Sequence, residues 1–412
     1  MRRNRRQRAN GGNMEYEPIP AAVLPLTGIC IVDFTKLLPG PWCTQLLADM
    51  GAEVIKVEAP DIGDPSRHNP PRQREHSAYF ASVNRNKRSI ELDLRSAAGV
   101  EAARRLIGWA DVMLESFAVG GAARLGIDYR SARMINPDII YCSISGFGQD
   151  GPLAASSGHD LVVQAMTGVL STAGAGEMPQ FQAADYAGGA FATIAILSAL
   201  YRRRTSGEGA FLDVAMFDSL LAMSTAALGQ GLARASGGSG TPALEAWGRN
   251  PRYAIYATRD RRYVGVSLLE PGLWAKFCEA IGRPDLVFGD ERPEDRHSDH
   301  GERAALYRTA ITNYCAVRTM DEIDQAMRAR DIPVCPVLNA DEALASPQAL
   351  ARGMVYWDTD PHDGKVLRIG NPLARAGLAD LHRRPPPRLG AHTRDILDEL
   401  GLATEQGKTE PA

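Results

Sequence analysis

The sequence is poor in cysteine and has no apolar run long enough to cross a bilayer. Its six cysteines form no Cys-x-x-Cys pair and have no histidine at zinc-ligand spacing, so neither a zinc site nor a disulfide framework is supported. The longest apolar run, residues 186–201, contains two glycines and is shorter than the roughly 20 residues that a bilayer requires. We therefore expect reduced thiols, a cytoplasmic protein without a metal site, and a buried helix at this run.

Charge of one sign is not in excess either. The chain has 46 Lys and Arg residues against 49 Asp and Glu residues, a formal net charge of -3. This balance argues against a basic face, so we expect neither a nucleic-acid nor a membrane partner. The Arg-rich segment Met1–Asn13 lacks the apolar stretch of a secretory signal. It could form a phosphate-binding arm, but we expect a disordered tail over residues 1–25 or a true start at Met14.

What the sequence does contain is the alternating pattern of an α/β protein. A chain of 412 residues with 44% hydrophobic residues can form two or three globular domains. An apolar strand at residues 28–34 is followed by helical spacing at 41–50, and Gly51 stands where helix ends favour glycine. Further apolar segments at 52–57, 89–94, 111–114 and 139–143, with a helix at 97–109, predict a parallel, Rossmann-like sheet covered by helices.

The first strand-to-helix turn, residues 36–41, carries only one glycine. Dinucleotide-binding folds need Gly-x-Gly-x-x-Gly at this turn, because the backbone must approach a pyrophosphate closely. Nicotinamide and flavin cofactors are therefore disfavoured, and no prosthetic group is predicted.

A second unit follows a glycine- and serine-rich stretch at residues 235–241, which indicates a hinge or linker. The spacing of apolar residues in this unit predicts strands at 262–267 and 332–338 and helices at about 272–281 and 320–329. A last helix at 393–400 follows a proline-rich run, and we expect it to pack back on the first domain.

Four residues are candidates for catalysis. Asp185 directly precedes the buried helix, where an N-cap carboxylate is held ionised by backbone N–H groups and the helix dipole. Simple capping explains this position as well, although the small residues that follow leave room for a ligand. His159 and Asp160 stand between a turn-rich stretch and a helix, and Glu270 follows a strand of the second unit. Taken singly, these three residues also have ordinary structural interpretations.

A series of segments along the chain forms a recognisable pattern. They are Val32-Asp33-Phe34 and residues 51–58, 84–89, 111–115, 145–148 and 205–209. Together they resemble the family III CoA-transferases and their relatives, the α-methylacyl-CoA racemases, from about Leu26 to Leu402. The resemblance implies an interlocked homodimer with a Rossmann-like large domain and a smaller α+β domain. The implied ranges are 26–232 for the large domain, completed by 365–412, a linker at 233–250, the small domain at 251–345 and a return linker at 346–364.

The resemblance gives Asp185 one of two roles. In transferases of the formyl-CoA type the matching aspartate attacks the acyl-CoA thioester and forms an acyl-aspartyl anhydride, whereas in racemases it is an acid or base. Gly158-His159-Asp160 and Glu270-Pro271 match the racemase pattern. The resemblance therefore favours an acyl-CoA racemase or epimerase, in which His159 and Asp185 exchange the α-proton and Glu270 orients His159. Backbone N–H groups at the helix start near Asp185 would stabilise the enolate.

The alternative is a CoA transferase that uses Asp185 as nucleophile and Asp160 as acidic helper. The long segment 63–82, which ends in Ala78-Tyr79-Phe80, looks like the transferase version, and residues 246–251 replace a segment that racemases have. The poly-glycine loop that covers the aspartate of formyl-CoA transferases is absent, which weakens this interpretation. The sequence names neither the acyl chain nor an acceptor acid.

In both cases coenzyme A belongs to the substrate, an acyl-CoA thioester, and not to a bound cofactor. An arginine suits its phosphates because the planar guanidinium meets two oxygens at once. Since Ala59 stands where the family often has arginine, Arg85 or Arg88 could share in anchoring the nucleotide. The resemblance assigns the contacts to Leu38 and Pro39 in the first turn, Leu92 and Arg95 near the adenine and phosphates, and Ser116, Phe117 and Arg124 along the pantetheine.

Overall fold

The larger part of the computed structural model is a six-stranded sheet. The structure describes residues 24–74, 76–172, 178–239, 249–292, 295–296 and 298–402. The strands are β1 Cys30–Phe34, β2 Glu53–Glu58, β3 Lys87–Glu91, β4 Val112–Glu115, β5 Ile140–Ser145 and β6 Ala210–Ala215. All neighbours pair in parallel, in the order β3-β2-β1-β4-β5-β6. This is the doubly wound order, and it reverses between β1 and β4.

Helices cover both faces of this sheet, because successive side chains of a strand point to opposite sides and both sets are apolar. Ile31 lies in one buried cluster with residues of the helices at 39–49 and 183–206, while its neighbour Val32 lies in another with residues of the helices at 97–109 and 393–399. The helices of this part are α1 Pro39–Asp49, α2 Ala78–Ser82, α3 Ala97–Trp109, α4 Gly121–Arg124, α5 Tyr129–Ile135, α6 Asp160–Met166, α7 Val169–Thr172, α8 Ala183–Ser206, α9 Met216–Met223 and α10 Gly229–Ala235, and α16 at the chain's end is Thr393–Glu399.

Helix α8 is longer than the predicted buried run at residues 186–201. At 24 residues it is long and apolar enough to cross a bilayer by length and composition alone. However, 50% of its apolar 18-residue stretch is buried inside the protein. Two glycines near its start allow close packing, since a Cβ on Gly189 would lie 2.7 Å from the Pro39 carbonyl oxygen and one on Gly188 would lie 2.9 Å from Met216 Cγ. The space beside these glycines is filled by residues of α1 and α9. The prediction that the small residues after Asp185 leave room for a ligand was therefore wrong.

A second unit contains an antiparallel sheet of β7 Tyr253–Ala257, β8 Tyr263–Ser267 and β9 Val334–Pro336. Its core is formed by Trp274, Phe277, Tyr307 and Ile311 with residues of the strands. The predicted strands and helices of this unit are confirmed to within a few residues, and a further helix accompanies them. The helices are α11 Pro271–Ala280, α12 Arg303–Ala316 and α13 Met320–Arg328.

The chain then returns to the six-stranded sheet, as predicted for its last helix. Short helices α14 Ala340–Leu344 and α15 Pro347–Ala351 lead to a hairpin of β10 Val355–Asp360 and β11 Gly364–Ile369. In α16, Ile396 is completely buried in the cluster that contains Val32, and Arg88 of β3 donates hydrogen bonds of 2.8 Å to Glu399.

Sequence reasoning did not predict β6 or the β10–β11 hairpin. β6 is an edge strand in which Phe211 and Asp213 are exposed, so it lacks the continuous apolar run of the inner strands. Most of the predicted tail, residues 1–23, and much of the predicted linker, residues 240–248, lie outside the described residues. The predicted domain boundaries therefore stay predictions.

Candidate active site

A cleft of about 500 Å³ lies at the carboxyl edge of the six-stranded sheet, beside the point where the strand order reverses. Doubly wound folds bind their ligands at this position, because the loops after adjacent strands separate there. The loops after β1, β4 and β5 and the first turns of α6 and α8 form its walls. Five of the predicted site residues line the cleft, namely Pro39, Ser116, His159, Asp160 and Asp185.

Buried charges hold the first of these loops in place. Beneath it, Lys56 pairs with Asp64 at 2.8 Å and donates to the Thr35 carbonyl at 2.9 Å, and all of these groups are buried. The Asp64 carboxylate also accepts the Leu37 N–H at 3.2 Å. Leu37 has a φ of 64°, which is rare for a side chain of its size and costs energy. This hydrogen bond stabilises the strained turn, and the turn holds Lys36 at the cleft.

Asp185 is the third residue of α8, which begins at Ala183 after the N-cap Gln182. The prediction that Asp185 itself is the N-cap was therefore wrong. Its half-buried carboxylate faces the cleft from the first helical turn. Because α8 is anchored by α1 and α9, the side chain is fixed relative to the sheet.

The carboxylate that caps α8 comes from Asp160, at the start of α6. Its Oδ1 accepts the N–H of Ala184 at 2.8 Å and that of Asp185 at 3.4 Å, and its Oδ2 accepts Gln164 Nε2 at 2.7 Å. The other two N–H groups of the first turn donate to the carbonyls of Phe181 and Gln182. Since these N–H groups all have partners, the predicted enolate stabilisation by the start of α8 is wrong.

The same arrangement raises the pKa of Asp185 to about 7, first because burial disfavours the charged form and second because Asp160 is negative. An acidic group with a pKa near neutrality is unusual for a structural carboxylate and common for a catalytic one. Asp185 can therefore exist as a poorly solvated and reactive carboxylate at neutral pH.

His159 precedes α6 as its N-cap residue and is exposed at the cleft. Its backbone carbonyl accepts the N–H groups of Val162 and Val163. No hydrogen bond orients its imidazole within the described part of the chain. His159 and Asp185 thus share one cleft, as predicted, but no side chain among the described residues holds the ring in one tautomer.

Glu270 does not join them in this chain. It is the N-cap of α11 in the second unit, is absent from the cleft walls, and accepts a hydrogen bond of 2.7 Å from Arg296. Within one chain Glu270 therefore does not contact His159, and its role in orienting that ring stays a prediction. An exposed ion pair on the small unit explains the position of Glu270 instead.

The residues predicted to bind CoA are spread over the edge of the sheet. Pro39 and Ser116 line the cleft, while Leu38 and Leu92 are buried in the protein interior. Phe117 is half-buried against Phe34, with ring centroids 6.5 Å apart. These contacts leave Leu38, Leu92 and Phe117 outside the cleft walls.

The predicted phosphate ligands differ in their availability. Arg95 is exposed and pairs with Asp93 at 2.9 Å, and Arg124 is exposed at the end of α4. Arg85 is buried and donates to both oxygens of Asp49, while Arg88 is held by Glu399. The idea that Arg85 or Arg88 anchors the nucleotide was wrong, because both guanidinium groups are already engaged.

Tyr79 of α2 is a cleft residue whose role sequence reasoning missed. Its pKa is raised, first by burial and then by the charge of Asp185, so the hydroxyl keeps its proton. The hydroxyl has no hydrogen-bond partner among the described residues. A neutral O–H beside a carboxylate can donate to an oxygen that gains negative charge. Its place in Ala78-Tyr79-Phe80, directly before the buried Phe80 of a short helix, was the one signal available.

Outside the cleft, His76, Asp360 and Asp363 form a buried cluster with the composition of a metal site. His76 Nδ1 lies 2.6 Å from Asp363, and Asp360 accepts 2.6 Å and 2.9 Å hydrogen bonds from Arg368 and the His362 N–H. These partners already satisfy the carboxylates, so the cluster is explained as a link between the loop before α2 and the β10–β11 hairpin.

Comparisons with known proteins agree on one family. Residues 26–393 match the model of CoA-transferase family III. The chain is 33% identical over 395 residues to a succinate–glutarate CoA-transferase of Agrobacterium fabrum, covering 91% of this chain and 96% of that protein. It is 34% identical over 397 residues to an acetyl-CoA:oxalate CoA-transferase of Acetobacter aceti, covering 94% and 96%. A CaiB/BaiF family protein from Brucella suis has a similar structure, with a TM-score of 0.77, 32% identity, and 91% and 99% of the two chains covered.

Proposed function

Because this chain belongs to CoA-transferase family III, we propose that it moves CoA from an acyl-CoA thioester to a free carboxylic acid, with Asp185 as the nucleophile. The observation that carries this proposal is a half-buried carboxylate with a pKa of about 7 in the cleft at the sheet's switch point. The similar enzymes of Agrobacterium fabrum and Acetobacter aceti are named as transferases and not as racemases. The transferase alternative is therefore better supported than the racemase favoured by Gly158-His159-Asp160.

The reaction begins when the Asp185 carboxylate attacks the thioester carbonyl carbon. The carbon–sulfur bond breaks, CoA leaves as its thiolate, and an acyl-aspartyl anhydride remains. The thiolate then attacks the aspartyl carbonyl carbon and releases the first acid, which leaves Asp185 as a CoA thioester. The acceptor carboxylate repeats these two steps in reverse, giving the new acyl-CoA and the free Asp185 carboxylate.

Two side chains can assist these steps. Tyr79 can donate its hydroxyl proton in a hydrogen bond to the oxygen that becomes negative at each addition. Asp160 keeps the start of α8 capped through Ala184, and its negative charge adds to burial in raising the pKa of Asp185. Neither role requires a proton to leave the protein, which fits a reaction whose substrates and products carry the same total charge.

An isotope experiment tests this mechanism. With succinyl-CoA as donor and glutarate labelled with ¹⁸O in all carboxyl oxygens as acceptor, each return of the free carboxylate leaves one acceptor oxygen on Asp185. We expect the peptide that contains Asp185 to gain 2 and then 4 mass units, estimates that follow from one ¹⁸O per anhydride. Turnover without ¹⁸O in that peptide would contradict the nucleophile.

Epimerisation is the second candidate, because His159 and Asp185 line the same cleft. It would bring deuterium from heavy water to the α-carbon of a chiral 2-methylacyl-CoA, with no free acid required. The His159→Ala variant should then lose this exchange for at least one stereoisomer, by about 10²- to 10⁴-fold. Transfer to a free acid with no α-deuterium would exclude epimerisation as the main activity.

We also propose that the protein is a homodimer in which folding and association are one event. α8 and α9 expose apolar side chains that are unusual on a free surface, namely Phe191, Ile194, Tyr201, Leu221 and Met223. For a dimer that is stable only when associated, a hundredfold increase in concentration raises the stability by about 2.7 kcal/mol. Denaturant midpoints at two concentrations a hundredfold apart should therefore differ, and a folded, active monomer on dilution would contradict the proposal.

A further inference from the structure

We propose that Lys36 selects acids that carry a second carboxylate, by pairing with the carboxylate remote from Asp185. This inference rests on the proposed transfer of CoA to a free acid. Lys36 lies in the turn after β1 and lines the cleft together with Asp185. It is exposed, and its ammonium has no ion pair or hydrogen bond with any residue that the structure describes. A lysine side chain that lines a cleft and has no partner among the described residues is available for an anionic ligand.

The charges of the cleft make this ammonium important. Among the described residues that line it, two carry carboxylates, Asp160 and Asp185, and Lys36 is the one lysine or arginine. A dianionic acid that enters such a cleft meets repulsion from both aspartates. Pairing with Lys36 offsets part of that repulsion, because opposite charges attract.

The rest of the cleft fits the chain between two carboxylates. Apolar side chains also line it, including Ile144, Met178 and Met216. Methylene groups can pack on these side chains, whereas a charged end placed there without a partner would lose its hydration. When an acid binds with one carboxylate at Asp185 and the other at Lys36, both of its charged ends therefore have a place, and its methylene groups contact apolar side chains.

The first turn is poorly built for the phosphates of CoA, the other anion that could meet Lys36. A helix start binds phosphate through its free N–H groups. In helix α1, Pro39 and Pro41 have no N–H, and the Trp42 N–H donates to the Leu38 carbonyl. Apart from the Gly40 N–H, the first residues of this helix leave no N–H for a phosphate, so the Lys36 ammonium suits one carboxylate better than a pyrophosphate.

The Lys36→Met variant tests the proposal with two acids of equal length. Glutarate and valerate differ in that a methyl group replaces the second carboxylate, and acetyl-CoA serves as donor because its acyl group has no second charge. We expect the KM for glutarate to rise about 10- to 100-fold, the range for losing one charge-assisted contact, while valerate is used as before. Lys36→Arg should restore part of the preference for glutarate. Lys365→Met, which changes an exposed lysine of β11, should match the wild type.

The other outcomes separate the possible errors. If Lys36→Met raises the KM for acetyl-CoA with both acids, Lys36 binds the phosphates of CoA and the proposal is wrong. If the variant keeps the wild-type preference for glutarate, Lys36 does not select the acid. If the wild type transfers CoA to neither acid and takes up no ¹⁸O at Asp185, the proposed function itself fails, independently of Lys36.

Discussion

The Asp185→Asn variant is expected to transfer CoA about 10⁴-fold or more slowly than the wild type, because an amide cannot form the anhydride on which every later step depends. The initial rate with succinyl-CoA and glutarate measures this loss. Asp185→Ala should show the same loss and guards against slow deamidation of the asparagine. Transfer by both variants at more than a tenth of the wild-type rate would remove Asp185 from the mechanism.

The Asp185→Asn variant should be more stable than the wild type at pH 8. This result would separate a loss of activity from a loss of structure. The pKa of Asp185 in the folded protein is about 7, raised from 3.8, so the folded state holds this proton where the unfolded state has released it. The contribution of Asp185 to stability is thus intact below pH 4 and is lost as the pH rises to about 7. An asparagine avoids that loss, so the thermal midpoint of the variant should exceed that of the wild type at pH 8 and approach it at pH 4.

The pH dependence of kcat/KM for the acyl-CoA is the second large effect. The nucleophile must be ionised, and below a pKa of about 7 the ionised fraction falls tenfold for each pH unit. We therefore expect kcat/KM at pH 5 to be about 100-fold below its plateau above pH 8. A profile that is flat between pH 5 and 8 would mean that another group limits the rate, or that Asp185 is ionised throughout.

The Asp160→Asn variant tests whether the charge of Asp160 helps to set the pH at which kcat/KM rises. Burial is the first cause of the raised pKa of Asp185 and the charge of Asp160 is the second, so removing that charge should lower the pKa and move the rise in activity to lower pH. The amide oxygen can still accept the Ala184 N–H, which preserves the cap of α8. Asp150→Asn removes an exposed charge outside the cleft and should leave the profile unchanged.

The continuous apolar runs of the inner strands made the large sheet predictable. β1, β2, β4 and β5 are short apolar runs buried on both faces, and each lies within two residues of its predicted range. The edge strand β6 and the β10–β11 hairpin could not be predicted in this way. They expose every second or third side chain, so their apolar pattern is too weak to distinguish from that of a loop.

In the candidate site, too, some residues could be predicted from the sequence and others could not. Asp185, His159 and Asp160 were recognised from their motifs, and the structure places all three at one cleft. Their partners were not recognised, because Asp160 caps α8 from 24 residues away and no local pattern encodes that contact. Tyr79 likewise comes to the same cleft as Asp185 only through the tertiary fold, since the two residues lie in segments far apart in the sequence.

By itself the sequence determined the family, the doubly wound sheet and the aspartate on which the proposed chemistry rests, because these depend on short apolar runs and local motifs. Only the tertiary structure decided that Asp160 caps α8, that Glu270 pairs with Arg296, and that Lys36 lines the cleft without a partner among the described residues. Each of these facts depends on which charges are brought together or kept apart when distant segments pack. Burial and neighbouring charge, and not residue type, set whether a carboxylate is a cap, an ion pair or a nucleophile.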